Sequence, residues 1–169
     1  MRLIELREAG VTAATMSRME RAGEVVRLSR GVYQLPDADL DPNHSLAEAA
    51  KLVPKGIVCL VSALAFHGLT DQLPPNVWMA IGPKDWAPQR SGAGIRIVRF
   101  TDSLLREGIE THVIDGVSVK VFGVAKTVAY CFRHRGKVGQ AVALAGLQEA
   151  LRQRTATPAD IARQAETGA

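Results

Sequence analysis

Six arginines, Arg2, Arg7, Arg18, Arg21, Arg27 and Arg30, are the only cations in the first 35 residues of this 169-residue chain, set against four glutamates. Arginine carries a planar fork of donors that matches phosphate oxygens and the edge of guanine two at a time. An all-arginine set therefore points to an anionic partner of fixed geometry, nucleic acid before others. The remaining residue types with chemistry to offer are scattered. His44, His67, His112 and His134 have no His, Cys, Asp or Glu neighbour at metal-ligand spacing. His67, just before Gly68 on a mostly apolar stretch, reads as a capping or hydrogen-bonded core histidine. Ser62 lacks a Gly-x-Ser-x-Gly elbow and reads as a helix N-cap. Gly123 to Thr127 puts Gly, Lys and Thr at a helix start, without the glycine spacing of a phosphate loop. Ser91-Gly92-Ala93-Gly94 precedes a strand and is no dinucleotide fingerprint. Glu107, Glu110 and Asp115 read as hairpin-surface carboxylates. No catalytic constellation, metal set or cofactor site is legible, so the chain reads as a non-enzyme.

The arginines need elements to position them. Leu3, Ile4 and Leu6 give residues 1–9 an apolar stripe at helical spacing, stopped by Gly10. Thr12 is a good N-cap for a second helix to about Ala22, ended by Gly23. Gly10-Val11-Thr12 is a helix-turn-helix connection. Two β-prone runs follow, Val25 to Leu28 and Val32 to Leu35, joined by Ser29-Arg30-Gly31, where Gly31 can take the positive φ of a tight hairpin. Helix, turn, helix, hairpin is the order of a winged helix-turn-helix. At 100° per residue, Ala14, Ser17, Arg18 and Arg21 share one side of the second helix, with Met16 and Met19 opposite. Small residues plus arginines suit a helix lying in the major groove, with Thr12 at its entry. Arg27 in a wing strand and Arg30 at its tip are placed for phosphate or the minor groove. The plain alternative is an ordinary solvated arginine face.

Charge divides the chain further. The net formal charge is +4, but residues 36–54 carry Asp37, Asp39, Asp41 and Glu48 against Lys51 alone. That acidic stretch holds Pro36, Pro42 and Asn43, so a linker is placed at 37–44, between a module at 1–36 and a second domain at 45–169. In the second domain Ser45 caps a helix to about Leu52, with Glu48 completing a capping box. An apolar run Ile57–Val61 leads into a short helix closed by Gly68. Strands are expected at Val77–Ile81, Ile95–Phe100, Glu110–Ile114 and Val117–Phe122, the last two joined by the hairpin dipeptide Asp115-Gly116. Helices follow at about 124–134, 138–153 and 158–166, the last started by Thr157, Pro158 and Asp160. Val138, Val142, Leu144, Leu147 and Leu151 read as core. The Gly-, Pro- and Ser-rich loop 82–94 is long enough to bind something. Arg133, Arg135 and Lys137, with His134, form the densest basic run. They suit a helix C-terminus, or contacts to a DNA backbone or an acidic partner.

The run Gly10-Val11-Thr12-Ala13-Ala14-Thr15-Met16-Ser17-Arg18-Met19, with Gly23 to Tyr33 and above all the wing Arg30-Gly31-Val32-Tyr33, resembles the winged-helix domain of AbiEi-type antitoxins. Ser62 to Thr70, the Trp78 strand, and Val121-Phe122 through Ala125 to Arg133 carry the resemblance into the second domain. It implies an α+β protein, a winged helix-turn-helix followed by a mixed α/β domain. It also implies a DNA-binding autorepressor of a toxin–antitoxin pair in phage defence, countering a nucleotidyltransferase-like toxin. Family members have a further helix before the one at residues 1–9, so this module reads as truncated. About 35 residues is also short for an independent domain. The module is thus expected to lean on the second domain, on another chain, or on residues upstream.

Composition bounds the rest. With 47% hydrophobic and 22% charged residues, the chain is too apolar for disorder. No apolar stretch approaches the roughly 18 residues of a membrane helix, and no signal-peptide block opens it. Cys59 and Cys131 allow one disulfide at most, so a reduced, cytoplasmic protein is the default. The partners read from these features are double-stranded DNA, bound as two copies on an inverted repeat, and a cognate toxin. Two other readings stay open, a protein-binding antitoxin that does not touch DNA and a nucleic-acid-processing enzyme.

Overall fold

The computed structural model describes residues 3–34, 43–88 and 94–167. The linker positions 37–42, the end of the wing at Leu35 and the Gly-rich tip of the 82–94 loop at 89–93 lie outside the described residues.

The N-terminal elements come in the anticipated order: α1 (Leu3–Glu8), α2 (Ala13–Arg21), β1 (Val26–Ser29) and β2 (Val32–Gln34). Two glycines end the helices by the same device. Gly10 at φ +87° and Gly23 at φ +75° let Val11 N–H reach Leu6 O and Glu24 N–H reach Met19 O, closing each last turn. Gly31 at φ +78° turns the hairpin, which pairs antiparallel with a bulge between Arg27 and Ser29. Met16, Val25 and Tyr33 form a small buried core, with Leu6, Val11 and Met19 packed against it.

A larger core lies around a five-stranded mixed sheet. Its strands are β3 (Ile57–Val58), β4 (Val77–Ile81), β5 (Ile95–Arg99), β6 (Ile109–Ile114) and β7 (Val117–Phe122), in the order β5-β4-β3-β7-β6. β4–β5 and β3–β7 run parallel; β3–β4 and the β6–β7 hairpin are antiparallel. All five residues of β4 are buried, so both its faces are covered. The helices are α3 (His44–Leu52), α4 (Leu60–Phe66), α5 (Val124–Arg133), α6 (Arg135–Val138), α7 (Gln140–Gln153) and α8 (Pro158–Thr167). α3 packs on β4, β6 and β7, while α5 contacts α4, α6, α7 and α8. The chain is thus of the α+β class. Among the described residues no helix is long and apolar enough to cross a membrane.

Several local expectations are corrected. α3 begins at His44 after Asn43, and Asn43 makes no side-chain cap. Glu48 is drawn instead to His44, Oε1 to Nε2 2.7 Å, so the Ser45–Glu48 capping box does not form. Ser62 is no N-cap either. α4 starts at Leu60, and Ser62 Oγ accepts from Trp78 N–H at 2.9 Å, stitching the helix to β4. The expected helix 138–153 is broken at Gly139, whose φ of +98° separates α6 from α7.

The buried face of α7 also differs. Ala143, Gly146 and Ala150 are its buried residues, whereas Leu144 and Leu151 are 46% and 38% exposed. The reason is close approach: a Cβ on Gly146 would sit 2.9 Å from Leu64 Cδ2 of α4. Leu64 fills the space opposite Gly146, while Val138, Val142 and Leu147 of the expected set do pack against the core as partly buried residues.

Candidate nucleic-acid interface

The arginine face rests on α2. Thr12 caps it from an extended conformation, its Oγ1 accepting from Thr15 N–H at 3.2 Å and lying 2.9 Å from Thr15 Oγ1. Thr12 therefore fixes the first turn, which sets the angle at which the helix leaves the turn. Met16 is 1% exposed and Met19 packs beside it, whereas Ala14, Ser17, Arg18 and Arg21 are exposed. Burial of one stripe thus turns the other outward. Arg21 Nε donates to Ser17 O at 3.3 Å, which steers its guanidinium along the helix surface. No ion pair joins Arg18, Arg21 or Arg30 to an acid among the described residues.

Arg27 is exposed on β1, opposite Tyr33, whose ring belongs to the small core. Arg30 is exposed at the turn beside Gly31. The helix arginines and the wing arginines therefore belong to one module with one core, as a groove-reading unit requires. Residues 2–36 match the family described as transcriptional regulator, AbiEi antitoxin. No curated protein matches the chain.

The AbiEi-matching module does not include the second basic run. Arg133 closes α5, while Arg135 and Lys137 lie on α6, all exposed at the edge of the large core. Arg135 Nη1 donates to Phe132 O at 3.1 Å, a helix-end contact. Between them His134 stacks on Tyr130 and meets the edge of Phe100, and burial, then Lys137 and Arg133, lowers its pKa.

The residues weighed for chemistry have structural work. Lys126 is buried, and its Nζ donates to Leu104 O and to Glu107 O while lying 4.8 Å from the Phe122 ring centroid. Thr127 Oγ1 donates to Phe122 O at 3.1 Å. The Lys126 and Thr127 side chains are thus committed to carbonyls. His67 Nε2 lies 2.7 Å from Phe122 O, as a hydrogen-bonded core histidine should. Cys59 and Cys131 are both buried and unbridged; burial raises both thiols, Cys131 to about 12. Among the described residues no group of three His, Cys, Asp or Glu can hold a metal.

Proposed function

We propose that this protein is a DNA-binding autorepressor and the antitoxin of a toxin–antitoxin pair, acting in the cytoplasm without catalysis of its own. The observation that carries the reading is the two-sided α2: Met16 buried, and Ala14, Ser17, Arg18 and Arg21 exposed on the opposite side, within a module that matches an antitoxin regulator family. Residues 1–36 read DNA, 37–44 link, and 45–169 handle protein contacts with a nucleotidyltransferase-like toxin. α2 enters the major groove, with Arg18 and Arg21 on bases or phosphates and Thr12 at the backbone. Arg27 and Arg30 anchor the wing. Arg133, Arg135 and Lys137 add backbone or toxin contacts. Two copies cover an inverted repeat, since one such module makes too few contacts for a specific site.

Binding of the full chain to the duplex upstream of its own gene tests this. Affinity should fall steeply with salt, and each lost phosphate contact should reduce the slope of log K against log salt by about 1. Salt-insensitive binding, or binding unchanged in an Arg18→Ala/Arg21→Ala variant, would refute the DNA reading. Relief of the toxicity of a neighbouring nucleotidyltransferase-like gene product by a wild-type chain that binds no operator duplex would favour a protein-binding antitoxin instead.

A further inference from the structure

Far along the chain from α2, the start of the 82–94 loop is held rigid and presents an indole to solvent. Arg99 Nη1 donates to three carbonyls of that loop, Gly82 O at 2.9 Å, Pro83 O at 3.1 Å and Asp85 O at 3.0 Å. Asp85 closes the turn from within: Oδ2 accepts from Gly82 N–H at 2.9 Å and Oδ1 from Lys55 Nζ at 3.1 Å. Gly82 is hemmed in, since a Cβ there would lie 2.7 Å from Asp102 Oδ1 and 2.8 Å from Asp85 Oδ2. This pinned turn carries Lys84 and Trp86 outward, and Trp86 is 68% exposed. An open cleft runs beside them, lined by Val53, Pro54, Lys55, Lys84, Asp85 and Trp86.

Keeping a tryptophan in water costs the transfer free energy of a large apolar surface, so a rigid exposed indole calls for a flat partner. The charge around it selects the partner's sign. Of the charged side chains that line the cleft, Lys55 and Asp85 pair with each other at 3.1 Å, which leaves the exposed Lys84 as the cation beside the indole. Lysine is depleted from the cores of protein–protein interfaces, whereas an aromatic face flanked by cations is the composition of an unpaired-strand site.

We propose that this cleft binds an unpaired nucleotide, its base stacked on Trp86 and its phosphate against Lys84. The site belongs to the sheet domain and does not rest on the reading of α2. It takes a nucleotide from a single strand or free in solution, because both offer the same base and phosphate.

The test uses the full chain in an Arg18→Ala/Arg21→Ala background, which removes the arginines of α2. A fluorescein-labelled oligothymidylate of roughly 12 nucleotides should bind, and Trp86→Ala should weaken it about 5- to 100-fold. Trp86→Phe should restore part of the affinity, and Lys84→Ala should lower the salt slope. Trp86 is exposed, and unchanged circular dichroism and melting of the variants check their folding. Quenching of the indole by adenosine monophosphate, lost in Trp86→Ala, supports the site with free nucleotide as its source; binding of the oligonucleotide alone supports it with a strand. Absence of binding by both probes overturns the proposal, as does equal binding by Trp86→Ala. Trp86-dependent capture of polyglutamate with neither nucleotide probe bound would overturn it in favour of an acidic protein partner. Failure of the wild-type chain to bind the operator duplex would refute the autorepressor reading while leaving these outcomes unchanged.

Discussion

Lys51 Nζ donates to Glu5 Oε2 across 3.2 Å, which ties α1 of the small core to α3 of the large one. The two cores share no buried residue. An ion pair with one well-exposed partner contributes about 0–1 kcal/mol. The small module should therefore open independently of the sheet. Native-state hydrogen exchange is expected to give amides of α2 a lower opening free energy than amides of β4, with a Glu5–Lys51 coupling below about 1 kcal/mol in a double-mutant cycle. Equal opening energies would mean one cooperative unit.

Lys126 supplies the donor for two carbonyls, Leu104 O within the 3₁₀ turn at Asp102–Leu105 and Glu107 O just after it. Lys126→Ala leaves Leu104 O and Glu107 O without it and empties the space along Phe122. The expected loss is about 2–4 kcal/mol in urea unfolding, and Lys126→Met should recover part by refilling that space. A loss under 1 kcal/mol for the alanine variant, taken as roughly the net worth of one hydrogen bond, would contradict this role.

Two backbone positions give opposite signs. Arg154 closes α7 in the left-handed region, φ +55°, with Thr155 N–H reaching Ala150 O. Arg154→Gly removes the steric cost of a side chain there and should stabilise by about 0.5–1 kcal/mol. Gly146→Ala gains helix propensity but drives a methyl into buried Leu64, and should destabilise by about 1–3 kcal/mol. Thermal or urea unfolding of both variants checks the pair; a stabilised Gly146→Ala would show that α4 and α7 part easily.

His134 has its pKa lowered from 6.5 by burial and by the charges of Lys137 and Arg133. Below that value the unfolded chain binds a proton that the folded chain resists, so stability rises with pH in this window and is lost as pH falls through it. The imidazole resonances should titrate below 6.5, and His134→Phe should flatten the decline in stability on acidification. A folded-state titration at or above that value would reverse the sign.

The helix-turn-helix was legible because each of its signals is local. Gly10, Thr12, Gly23 and Gly31 fix where the chain turns, and the stripe of Met16 and Met19 fixes which side of α2 faces inward. The arginine face follows from those few residues without any long-range contact. Hairpin β6–β7 was legible for the same reason, since Asp115 at φ +49° and Gly116 at φ +75° are intrinsic to a tight turn.

Elsewhere the local signal misled because a distant residue won. Ser62 has the side chain of an N-cap, but Trp78 on β4 claims its oxygen. Lys126 and Thr127 lack the glycine spacing of a phosphate loop, but nothing local to them shows that carbonyls of Leu104, Glu107 and Phe122 take both side chains. Leu144 and Leu151 have helical spacing, but the nearness of Leu64 gives the buried face to Ala143, Gly146 and Ala150, with Val142 and Leu147 packed at its border.

The sequence by itself determined the arginine-only N-terminal set, the turn, the wing and the inward face of α2, because these depend on backbone preference and on a periodicity of a few residues. Only the tertiary structure decided that the strands assemble as β5-β4-β3-β7-β6 and that Trp86 stands in solvent on a turn pinned by Arg99. Those features depend on which chain segments meet across the fold, and pairing between distant residues leaves no periodic mark in either of them.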